Sequence, residues 1–133
     1  MSENQIPPTI ENPSQARTWN MLCHLSALSG FVIPFGNFLG PLLIWQIKKD
    51  EIPSVEIHGK SALNFQITFF IFALVLGMVG AVTCLLTFGL SLILFIPIFF
   101  SITVVSIIFP IIAAVKANSG EIYKYPISFE LIK

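Results

Sequence analysis

Asn20 and His24 lie four residues apart inside an otherwise apolar run, and Lys60, Asn64 and Thr68 repeat that spacing further along. Gln66 sits within the second set and His58 just ahead of it. Residues four apart share one face of a helix, so each set forms a polar stripe. In hydrocarbon such groups are costly unless a partner or water satisfies them. If the stripes meet at one depth, two readings fit: a hydrogen-bond clasp joining helix ends, or a polar vestibule able to take a substrate. The clasp is preferred. Within the cluster His24, Lys60 and Asn64 are expected to be neighbours, with His24 as the partner of Asn64.

Other chemistry is poorly served. His24 and His58 have no third ligand at metal-binding spacing, so no metal is expected. Asp50, Glu51 and Glu56 stand beside lysines, where carboxylates are ordinarily solvated. There is no nucleophile motif, glycine-rich phosphate loop or pair of buried carboxylates. Neither enzyme activity nor a cofactor is expected. No acid lies within an apolar run, which argues against a proton-coupled transporter. Cys23 and Cys84 read as small hydrophobes, not as a disulfide framework.

The elements that must position these residues follow from composition. The chain has 133 residues, 55% hydrophobic and 11% charged, with a mean hydropathy of +0.85. Ordinary soluble domains carry about 25% charged residues, and a short soluble fold could not bury so much apolar surface. Lipid is therefore the expected solvent and partner. The formal net charge is zero, which gives no reason to expect a nucleic-acid partner. The first 16 residues hold two acids and no base, unlike a cleaved signal peptide.

Charge is confined to three clusters. Residues 18–47 and 61–115 contain no Lys, Arg, Asp or Glu. The second of these runs is far too long for one crossing of a ~30 Å hydrocarbon core. Thr87-Phe88-Gly89 is the turn near its middle. The first run is broken by Pro34, Gly36, Asn37, Gly40 and Pro41, and Pro-x-Gly-Asn is turn chemistry. The fold expected is all-α and membrane-integral, with four hydrophobic helices. The first two form a Pro/Gly-broken hairpin at about 18–33 and 38–48. Two long transmembrane helices follow at about 53–86 and 90–117. A single crossing by residues 18–47 is the alternative to the hairpin.

Residues 1–16 read as a flexible polar tail, ending in an N-cap at Ser14 or Thr18, before a helical membrane domain over 17–120. Residues 121–133 read as an extended interfacial segment, because Tyr123, Tyr125, Ile127, Phe129 and Leu131 alternate. Lysines in the central loop and at the C-terminus place both on the cytoplasmic side. With the hairpin, both termini are cytoplasmic, in a bacterial inner membrane. Ala73, Gly77 and Ala81, with Gly80 beside them, form a small-residue stripe suited to close helix packing. That stripe offers a surface for self-association or for other membrane proteins.

Several phrases carry a family resemblance: LCHLSAL at 22–28, HGKSALNFQ at 58–66 and AAVKANSGEIYKYP at 113–126. A fourth is the spacing Pro34-x-Gly36-Asn37-x-x-Gly40-Pro41-Leu42-x-x-Trp45-x-x-Lys48-Lys49-Asp50. Together they resemble small bacterial membrane proteins related to the Tic-twenty component of the chloroplast inner-envelope import machinery. The resemblance implies a four-helix membrane domain. It also implies a subunit or building block of a transport or protein-translocation assembly. The alternative is a membrane scaffold or modulator that binds other membrane proteins or lipids without forming a conduit.

Overall fold

The structure, a computed structural model, describes residues 12–133. It holds four α-helices: α1 (Pro13–Leu25), α2 (Gly36–Lys48), α3 (Ser54–Leu86) and α4 (Leu92–Asn118). A 3-10 segment, Ser26–Phe31, links α1 to α2. No strand occurs among the described residues. The two long helices fall within two residues of the expected spans, and both are long and apolar enough to cross a membrane.

The hairpin region departs from expectation in three places. First, α1 starts at Pro13, within the stretch read as a tail; residues 1–11 of that stretch lie outside the described residues. Asn12, not Ser14 or Thr18, is the cap: its Oδ1 accepts from the Ser14 N–H at 3.1 Å and from the Ser14 hydroxyl at 2.9 Å. Pro13 opens the helix without cost because the first helical N–H has no intrahelical acceptor. Second, the first arm is not one α-helix to residue 33. It tightens at Ser26, whose hydroxyl donates back to the Cys23 carbonyl at 3.1 Å, and α2 presses close there. A Cβ on Gly40 would lie 2.5 Å from the Ser26 carbonyl oxygen, so only glycine permits the approach. Third, the reversal uses Phe35 in the left-handed region (φ 61°). Pro34 is exposed in the turn, and Gly36 and Asn37 already belong to α2.

Contacts order the elements along α3. Asn20 meets Ser54, and His24 meets His58, so α1 descends beside the first half of α3. Asn37 meets Gln66 and Phe38 packs on Phe70, so α2 climbs back antiparallel. α2 and α3 approach closely at Gly59, where a Cβ would lie 2.7 Å from the Trp45 Cβ. The buried clusters lie in this same half. One joins Ala16, Cys23, Ile52 and Val55; the other joins Phe65, Phe69, Ala113 and Tyr125.

Beyond about residue 73, α3 has only α4 beside it. Leu74, Met78, Val82 and Leu85 on α3, and Ile93, Ile96 and Phe100 on α4, are exposed. The turn at the end of this two-helix stalk uses Phe88 (φ 53°) and Gly89 (φ 86°), with the Gly89 N–H donating to the Cys84 carbonyl at 2.8 Å. Here the small-residue stripe needs a correction. Gly77 and Gly80 do not bring two backbones together. They lie under phenyl rings of α4, with their Cβ positions 3.9 Å from Phe99 and 3.3 Å from Phe95. Ala73 lines a cavity, and Ala81 is exposed beside the α3–α4 groove. Phe95 and Phe99 on α4 cover Gly80 and Gly77 and leave a groove of about 380 Å³ between the two helices.

Candidate functional site: a polar layer at the charged end

His24 is fully buried, and both its ring nitrogens are engaged. Nδ1 lies 2.8 Å from the Tyr125 hydroxyl and Nε2 lies 3.0 Å from His58 Nδ1. The two imidazoles meet nearly edge to face, 83° apart. Burial, and then the neighbouring His58, lowers the His24 pKa to about 3. A neutral imidazole has one donor and one acceptor, so both bonds run in the same direction. The chain can run either way: from the Tyr125 O–H to His24 Nδ1 and from His24 Nε2–H to His58 Nδ1, or from His58 Nδ1–H to His24 Nε2 and from His24 Nδ1–H to the Tyr125 oxygen. Burial, followed by the neighbouring Tyr123, pushes the Tyr125 hydroxyl up, so it stays protonated. Its ring stacks on Phe65 at 4.2 Å.

Cys23, beside His24, is buried and unpaired as a disulfide. Burial pushes its thiol up to about 12, so it stays a thiol and packs as a small hydrophobe. Asn20 extends the layer by donating from Nδ2 to Ser54 Oγ at 2.9 Å.

The stripe on α3 has a different partner from the one expected. Asn64 does not bond His24. Its Nδ2 donates to the Ile132 carbonyl at 3.0 Å, and its Oδ1 accepts from the Ile132 N–H at 2.7 Å. Thr68 Oγ1 accepts from the Phe129 N–H at 3.0 Å and donates to the Asn64 carbonyl at 2.7 Å. Lys60 pairs with Glu56 and donates to the Lys133 carbonyl at 3.3 Å. The reason is geometric: an extended backbone offers an amide and a carbonyl side by side, which matches a side-chain amide better than one imidazole nitrogen does. Lys60, Asn64 and Thr68 therefore clamp residues 129–133, while His24 and His58 form a separate layer. Gln66 belongs to neither, and accepts from Asn37 Nδ2 at 3.3 Å.

Sequence reasoning overlooked Tyr125 as a member of the cluster. The alternation over 123–131 suggested a uniform apolar side, but among those residues only Tyr125 is buried; Ile127, Phe129 and Leu131 are exposed. The signal missed was a tyrosine next to a proline, able to turn inward, and two histidines needing a capping hydroxyl. Among the described residues no three His, Cys, Asp or Glu side chains gather as metal ligands.

The arrangement is a tie between segments far apart in sequence. One buried layer fastens α1 to α3 and to the C-terminal segment.

In comparison with known proteins, a model of the magnetosome magnetite crystal formation protein family (MamF/MmsF) matches residues 15–132. No curated protein and no solved structure matches the chain. The family match overturns the Tic-twenty resemblance, and with it the translocation-subunit reading.

Proposed function

This chain belongs to the magnetosome magnetite crystal formation protein family, and from that premise we propose that it works in magnetite formation as a membrane-embedded scaffold or modulator. It acts by holding lipids or other membrane proteins in place, with no catalytic step and no conduit of its own. The observation that supports this reading is the division of the molecule. The buried polar layer and the charged loops lie at one end, and the other end is an uncharged stalk, Leu74 to Phe100, with its large side chains exposed.

In this reading α3 and α4 cross the bilayer. The α1–α2 hairpin enters from the charged side and turns back without crossing. The charged side is cytoplasmic, by the placement of Lys48, Lys49, Lys60, Lys116, Lys124 and Lys133, and both termini lie there. The membrane concerned is the one that bounds the growing crystal.

Complementation tests the function. The chain is expressed in a magnetite-forming bacterium that lacks its own family member, and crystal lengths are measured by electron microscopy. Restored crystal size, with the protein recovered in the crystal-bounding membrane, is the expected result. A protein that reaches that membrane and leaves crystal size unrestored would overturn the proposal.

A further inference from the structure

The 3-10 segment, α2, α3 and α4 enclose a cavity of about 290 Å³. Its walls come from the middle of α3 and α4 and from the hairpin tip, with Phe31, Phe70 and Thr103 exposed at the rim. In a bilayer its mouth faces sideways, toward lipid. Most of the lining is apolar, yet Asn37, Gln66, Thr103 and Ser106 all contribute.

The polar groups are incompletely used. Asn37 Nδ2 donates to Gln66 Oε1, which leaves the Gln66 NH2 and the Asn37 carbonyl without a protein partner among the described residues. Turning both amides over still leaves one NH2 and one carbonyl. Thr103 and Ser106 donate to the carbonyls of Phe99 and Thr103 at 2.9 and 2.7 Å, so their oxygens remain as acceptors. Gln66 is only 7% exposed and lines this cavity, and an amide left facing hydrocarbon without a partner is costly. The cavity therefore offers donors and acceptors together and no charge.

Depth and size narrow the ligand. Gln66 is six residues beyond Lys60, about 9 Å along the helix axis. With Lys60 at the headgroups, Gln66 sits in the upper acyl region, just below the glycerol and ester groups. A volume of 290 Å³ equals about ten waters at roughly 30 Å³ each, which suits one acyl chain better than two. We infer that this cavity binds a neutral single-chain glycerolipid: its ester carbonyl accepts from the Gln66 amide, its free glycerol hydroxyl donates to Asn37, and its chain lies along Phe69, Phe99 and Ile102.

The test uses the full-length chain in phospholipid nanodiscs and a monoacylglycerol with a photoactivatable diazirine in its chain. Adducts should concentrate on Phe69, Phe99 and Ile102 and saturate with probe. Unlabelled monoacylglycerol should compete, whereas a free fatty acid, whose charged carboxylate has no counter-charge here, should not. In the double variant Asn37→Leu, Gln66→Leu the saturable yield should fall about tenfold, as loss of one or two buried hydrogen bonds implies. Ala73→Phe, which fills the cavity and leaves both amides intact, should abolish it while thermal melting shows the fold retained. Labelling spread evenly along α3 and α4, equal competition by every lipid, or full yield in a folded Ala73→Phe protein would each overturn the site.

Discussion

A proton on His24 would have to be accommodated inside a closed layer, between a tyrosine hydroxyl and a second imidazole. The folded state holds its pKa at about 3, against 6.5 for the unperturbed group. Below pH 6.5 the unfolded chain therefore binds a proton that the folded chain refuses. The stability this residue contributes is present above pH 6.5 and is lost as pH falls toward 3, at up to about 1.4 kcal/mol per pH unit. Denaturant titration of the detergent-solubilised protein at pH 7 and pH 5 should show the loss, and His24→Gln should flatten it. Glycines give a second contrast at this scale. Gly59→Ala drives a Cβ to 2.7 Å from Trp45 Cβ, so α2 and α3 must part, at a cost of about 1–3 kcal/mol. Gly77→Ala meets only the edge of Phe99 at 3.9 Å and should leave the melting temperature unchanged. Equal melting temperatures for the two variants would contradict the placement of the α2–α3 crossing.

The C-terminal segment behaves as an element although it has no regular secondary structure. Asn64 holds Ile132 through two bonds and Thr68 holds the Phe129 N–H. Asn64→Leu and deletion of 126–133 should each destabilise the fold. Together they should cost less than the sum, because each removes the other's partner. The double variant His24→Leu, Asn64→Leu should be additive to within about 0.5 kcal/mol, since the two residues share no partner; thermal melting of the six proteins checks both cycles. These elements differ in how far they could be read from sequence. α3 and α4 were legible because a long uncharged run with one turn signal admits few solutions. The start of α1 at Pro13 was obscured because proline opposes helix everywhere except its first turn. The 3-10 segment was invisible because it depends on α2 pressing against Ser26. Tyr125 was misread because its partner His24 is 101 residues away, a separation that no local pattern reports. Asn64 and His24 both need a partner in an apolar setting, and nothing local in the sequence shows that an extended backbone 68 residues away supplies the one for Asn64.

At the scale of the whole molecule, sidedness is the property to measure. Single cysteines at Ser128 and Phe88, in a background lacking Cys23 and Cys84, should react with an impermeant maleimide from opposite faces of the membrane. A cysteine at Ile33, on the exposed apolar tip of the hairpin, should react from neither face. Labelling of position 33 from the face that labels Phe88 would show the hairpin crossing completely. If the hairpin stops near the level of Phe70, the protein is a wedge. Four packed segments occupy one leaflet and two helices the other, so it takes more area on its charged side. A bilayer that bends away from that side relieves the mismatch, with its charged face convex. In membrane tubes drawn from giant vesicles, the protein should therefore concentrate on narrow tubes whose outer surface is the charged face, and be depleted when it is reconstituted the other way round.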